Sequence, residues 1–116
     1  MADIFKSVGP KVWVFDIETV PCLSTIRRVY EIPNEVSDQE ALDTAYLAHG
    51  ANAENPRPFL KSIFHRVVSI SAMIRRGGVE PSLQFFTLPS KGETEAEMIG
   101  RFLAGIGRDK PQLVGF

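Results

Sequence analysis

The run Lys11 to Ile17, KVWVFDI, sets β-branched and aromatic residues side by side with hardly a polar break, and it narrows the fold more than any other stretch. Strand alternation sends Val12 and Val14 to one face and Trp13 and Phe15 to the other, so both faces are apolar. That is the pattern of a strand in the interior of a sheet and buried on both sides. Core packing accounts for Trp13 and Phe15 without any base-stacking role. The extended run ends at Thr19-Val-Pro-Cys22, because Pro21 has no N–H to offer a ladder.

The remaining elements can be read from spacing. A short helix is expected over Leu23 to Tyr30. Ser37 and Glu40 have the spacing of a capping box, and the helical pattern that follows runs through Leu42, Ala45 and Tyr46 to His49, with Gly50 as its stop. There His49 is expected as a cation favoured by the helix dipole. Ala51 to Pro58, with Asn55-Pro56, reads as an irregular connection. Arg66 to Ile74 alternates as a strand, with Val68, Ile70, Ala72 and Ile74 on one face. Gly77-Gly78 permits a tight reversal into a partner strand, Ser82 to Leu88, to which Phe85 and Phe86 belong. Thr94 and Glu97 repeat the capping spacing ahead of Met98, Ile99, Phe102, Leu103 and Ile106, a helix with Gly107 at its end. Gln112 to Phe116 begins another buried strand, which could lie parallel to the first. A strand, a hairpin, a crossover helix and a fourth strand describe an α/β fold with a mixed sheet of ribonuclease H-like type. Little in the sequence would cover the second face of that sheet, apart from the helices expected between residues 23 and 49.

At 116 residues, 44% hydrophobic and 23% charged, one soluble domain is expected. No segment approaches the roughly 18 apolar residues of a membrane span, so no membrane partner is expected and a cytoplasmic location is. The single cysteine, Cys22, has no partner for an internal disulfide and reads as a small half-buried hydrophobe. A net charge of −1 decides nothing about a polyanionic partner, since such binding depends on where the charges sit.

Asp16 and Glu18 close the first strand. Two residues apart in extended geometry, their side chains project to one side with Cα atoms about 6.5 to 7 Å apart. Two carboxylates at the edge of an apolar core repel each other and lose hydration, which raises their proton affinity unless a cation compensates. A hard divalent ion such as Mg²⁺ or Mn²⁺, which prefers oxygen ligands, is the natural compensation. In two-metal phosphoryl chemistry the ions lie roughly 3.5 to 4 Å apart, one activating the attacking water and the other stabilising the leaving oxygen. Taken alone, a D-x-E pair more often marks where a strand meets solvent.

The segments VFDIETVP, FHRVVSIS and QLVGF, in that order and spacing, resemble the opening of the predicted 3′-5′ exonucleases related to the proofreading exonuclease domain of B-family DNA polymerases, of the DEDD superfamily. The resemblance covers essentially the whole chain, and VFDIETVP is its specific part. It implies that Asp16 and Glu18 are the first two of four acidic ligands of a two-metal site, and that Thr19 lies beside the 3′-terminal nucleotide. The substrate it implies is nucleic acid, chiefly single-stranded DNA 3′ ends. It also implies that LVGF leads into a second motif, whose asparagine and third acid would follow Phe116, as would a last motif with the fourth aspartate. Residues 1–116 are therefore expected to be the N-terminal portion of a single exonuclease domain, incomplete at its C-terminus.

Arg27 and Arg28 follow the acidic motif closely and are candidates to line a nucleic-acid groove. Arg66 and the Arg75-Arg76 pair read first as solubilising charges at strand ends, and His65 as a capping or surface residue before a base or metal ligand. Two rival functions are kept. A phosphatase of the haloacid-dehalogenase type also places acids after its first strand, but as D-x-D-x-T or D-x-D-x-V, whereas Glu18 stands at the second aspartate here. A non-catalytic ribonuclease H-like module binding nucleic acid or protein is the other, and its uncapped sheet would invite a homo-oligomer.

Overall fold

The computed structural model describes residues 11–115. They form β1 (Lys11–Pro21), α1 (Leu23–Val29), α2 (Asp38–Ala48), a 3₁₀ turn (Ser62–Phe64), β2 (His65–Arg76), β3 (Ser82–Leu88), α3 (Glu95–Asp109) and β4 (Gln112–Gly115). One mixed four-stranded sheet has the order β3-β2-β1-β4. The hairpin β2–β3 is antiparallel, pairing Ile70 with Leu88 and Met73 with Phe85, while β4 runs parallel to β1, pairing Val14 with Val114. This is the mixed α/β sheet of ribonuclease H-like type that the spacing predicts. The described residues divide into two compact units, 11–18 with 67–115 and 19–66.

In the first unit β1 is an interior strand, as its composition requires. Trp13, Ile70, Ile74, Leu88, Met98 and Phe102 form the buried core between one sheet face and α3. Phe102 sets its ring 5.8 Å from Trp13 and 5.5 Å from Phe15, tilted against both. Close approach of helix and sheet depends on Gly105, where a Cβ would fall 2.7 Å from the Trp13 ring. Thr94 caps α3 by accepting the N–H of Glu97 at 3.2 Å.

Four expectations need correction here. The expected burial of β1 on both faces fails: Val12 and Trp13 are buried, Val14 and Phe15 only half-buried, and Ile17 is exposed. Within this unit α3 covers one face, and the other leaves Phe85 71% and Leu83 56% exposed. β4 is exposed along its described length, because it is an edge strand rather than a buried one, and Phe116 lies outside the described residues. Gly107 does not end α3, which continues to Asp109 and stops at Lys110 in the left-handed region at φ +48°. Asp109 holds that last turn through Arg76 and the Trp13 indole, and Pro111 cannot extend it. The reversal between β2 and β3 takes the five residues Gly77 to Pro81, with positive φ at Gly77 and not at Gly78.

The second unit carries α1, α2 and the 3₁₀ turn around a small core of Ile26, Ala45, Leu60 and Phe64, with Tyr30 stacked on Phe64 at 5.6 Å. Ser37 caps α2 by accepting the Glu40 N–H, and Gly50 follows the helix at φ +85°, both as the sequence predicts. Residues 51–58 are irregular, and Asn52 turns them by accepting the N–H groups of Glu54 and Asn55 through its side chain. His49 is the C-cap of α2, at the helix C-terminus as the sequence predicts; its Nδ1 lies 2.7 Å from the Ala45 carbonyl and its Nε2 accepts the Lys61 N–H at 3.2 Å.

Candidate active site

Among the described residues β1 pairs with β4 as far as Phe15 and Gly115, and Asp16 and Glu18 follow directly on β1, which continues to Pro21. Trp13 and Phe15 turn toward α3, so alternation places Val14, Asp16 and Glu18 on the opposite side. Asp16 there lines a shallow depression of about 260 Å³ with Val14, Ser71, Met73, Phe85 and Thr87. Both carboxylates are exposed. The Glu18 carboxyl is held above its ordinary range, first by a hydrogen bond with Asp16 that favours the protonated form, then by the Asp16 charge, with slight desolvation adding to both. The two carboxyl groups are thus close enough for one to perturb the other.

That donor set fits a hard divalent cation. It offers anionic oxygens alone, and Mg²⁺ commonly takes one or two protein carboxylates and completes its shell with water and substrate phosphate oxygens. Among the described residues no group of three or more His, Cys, Asp or Glu side chains is placed to hold a metal.

The other candidates belong to the second unit. Thr19, next in the chain after Glu18, is exposed, and its Oγ1 lies 3.1 Å from His65 Nδ1. His65 caps the C-terminus of the 3₁₀ turn, its N–H donating to the Ser62 carbonyl, and its side chain is half-buried rather than free at the surface. Its ring also stacks on Phe59, centroids 4.8 Å apart and 19° from parallel, and its Nε2 is buried with no hydrogen-bond partner among the described residues. Arg27 donates to the carbonyls of Pro33 at 3.0 Å and Val36 at 2.8 Å and to the Asp38 carboxylate at 2.8 Å, so its guanidinium braces the segment between α1 and α2. Arg28 stays exposed. Of the basic residues set aside in the sequence, Arg75 donates to the Gly78 carbonyl and Arg76 to Gln84 and Asp109. Cys22 is more than a small hydrophobe: Ser24 and Thr25 set their hydroxyls 3.2 and 3.3 Å from its sulfur, and these bonds, Ser24 first, lower the thiol below its ordinary value. Sequence reasoning missed Phe59, whose pairing with His65 spans a loop and has no periodic signature.

An α/β domain of ribonuclease H-like type, with an acidic pair in the second half of an interior strand that runs on to Pro21 instead of ending at the pair, is the architecture of a nuclease-like fold. A family model described as a predicted 3′-5′ exonuclease related to the exonuclease domain of PolB matches residues 57–116, more than half of the chain, and the chain belongs to that family. The matched segment begins after Asp16 and Glu18, so their assignment rests on their own chemistry and on the resemblance of VFDIETVP. No curated protein and no solved structure matches the chain. Among the described residues no helix is long and apolar enough to cross a membrane.

Proposed function

We propose that this chain serves metal-dependent removal of nucleotides from DNA 3′ ends, with single-stranded ends as the substrate and Asp16 and Glu18 as ligands for Mg²⁺ or Mn²⁺. The observation that supports the reading best is the pair itself: two exposed carboxylates on one side of an interior strand, with Glu18 held toward its protonated form by its neighbour. A bound divalent ion would supply charge stabilisation at the phosphodiester and a more acidic attacking water. Carboxylate ligands bind such an ion in their ionised form, which makes binding weaken as the pH falls. Thr19 offers a hydroxyl to the terminal nucleotide, with His65 fixing its direction. Arg28 offers an exposed cation to the phosphates; Arg27, also a candidate from the sequence, has its guanidinium committed within the unit.

A non-catalytic nucleic-acid-binding module is the second reading, favoured by the absence of a third acidic or imidazole ligand among the described residues. Incubating 5′-labelled single-stranded DNA with the chain and Mn²⁺, beside Asp16→Asn, separates them. Loss of a residue that merely supports a ligand costs roughly 10- to 100-fold, so loss of the ligand itself should cost at least that much. A ladder shortening from the 3′ end and lost in the variant is expected; an equal ladder in Asp16→Asn would overturn the assignment. Binding with no ladder would favour the second reading.

A further inference from the structure

Residues 55–79 contain no acidic side chain, yet Arg57, Lys61, Arg66, Arg75 and Arg76 fall within them. Within the second unit this stretch also presents Phe59 at 80% exposure, beside Leu60 and Phe64, which are buried. The segment therefore had apolar positions to hide and left this ring in solvent. Nor is the ring loose. Its stack on His65 fixes its plane, and His65 is fixed in turn by Thr19 through Nδ1. One face of Phe59 meets the imidazole, and a residue four-fifths exposed keeps the other free.

We infer that Phe59 is a platform on which an unpaired base of a single-stranded nucleic acid stacks, with Arg57, Lys61 and Arg66, all exposed, supplying cations for its phosphates. An aromatic face flanked by cations is what sequence-tolerant binding of single strands uses, because every base has a face to stack. A paired base offers no such face, since its neighbours in the duplex occupy it. An apolar protein segment would gain nothing from a run of 25 residues stripped of acids, whereas a polyphosphate backbone would. His65 is a positioning residue in this arrangement. The inference rests on the nucleic-acid reading above and adds to it where the substrate's bases go.

The test is fluorescence anisotropy of a labelled oligothymidylate of about 12 nucleotides, within the usual site size for such surfaces, titrated with the full chain in EDTA. Wild type is compared with Phe59→Ala, Phe59→Leu and Phe59→Tyr, and melting temperatures are recorded for each. Phe59→Ala and Phe59→Leu should weaken binding roughly 5- to 150-fold, while Phe59→Tyr, which keeps the ring, should bind like wild type. Unchanged affinity in Phe59→Ala overturns the platform. So does full affinity in Phe59→Leu, which would mark an apolar rather than a stacked contact, and so does a wild-type chain that does not bind. Because EDTA removes metal chemistry, the two ideas fail separately. Equal binding by the Phe59 variants leaves the nuclease reading standing, and equal cleavage by Asp16→Asn leaves the platform standing.

Discussion

The sheet unit and the helical unit are held together by different means. In the first, large apolar side chains meet at strand and helix spacings: Trp13, Ile70, Ile74, Leu88, Met98 and Phe102 lock one face of the sheet to α3. In the second, the buried core is small, and polar groups span the gaps that side-chain volume does not fill. Arg27 ties α1 to two carbonyls and a carboxylate further along, and His49 bridges the end of α2 to Lys61. A core of the first kind fails by cavity formation. One of the second kind fails when a single multivalent side chain loses its reach.

Truncating the aromatic core should therefore have the largest effect. Phe102→Ala empties a position that is almost fully buried and touches both Trp13 and Phe15, at an expected cost of about 3–5 kcal/mol in urea unfolding. Arg27→Ala should cost about 1–3 kcal/mol, chiefly by leaving the Pro33 and Val36 carbonyls without their charged donor. The ion pair with the exposed Asp38 contributes little to that sum, so Asp38→Ala should fall below about 1 kcal/mol. Arg27→Lys should recover only part of the loss, because an ammonium lacks the planar fork that reaches several acceptors at once. If Arg27→Ala proves as damaging as Phe102→Ala, the contrast between the two units collapses. If Arg27→Lys restores full stability, charge rather than geometry is what the segment requires.

The same contrast explains what was legible beforehand. Both capped helices, the hairpin and the interior β1 follow from Ser37, Thr94 and the apolar spacing, since caps and periodicity are local in the sequence. The acidic pair was legible for the same reason: an extended strand places residues 16 and 18 on one side by itself. What the sequence hid is the work of residues that act over distance. The end of α3 is decided by Asp109, whose partners Trp13 and Arg76 are 96 and 33 residues away. Phe59, His65 and Thr19 come together across 46 residues of chain, and no spacing rule announces them.

Asp109 gives the sharpest test of such a distant tie, although the expected effect is small. A carboxylate in the last turn of a helix opposes the helix dipole, so its place there requires cations. Arg76 supplies one at 2.7 Å and Lys11 another at 4.0 Å, and the Trp13 indole donates at 3.1 Å. Partial burial pushes this carboxyl up, but the hydrogen bonds from Arg76 and Trp13 and the charges of Arg76 and Lys11 outweigh it and hold the group below its ordinary value. A depressed native value means that the unfolded chain binds the proton more readily, so this contribution is complete above the ordinary carboxylate value of about 4 and fades as the pH falls through it and below. Asp109→Asn should thus cost about 1 kcal/mol near neutral pH, and the gap in melting temperature between wild type and variant should close as the pH is lowered toward 2. A gap of constant size from pH 7 to pH 2 would mean that the charge does nothing and that Asp109 serves only as a neutral acceptor for Trp13. In that case the last turn of α3 would be tied to β1 by a neutral hydrogen bond and by packing, and the contacts of Arg76 and Lys11 with Asp109 would add nothing to the stability of the sheet unit.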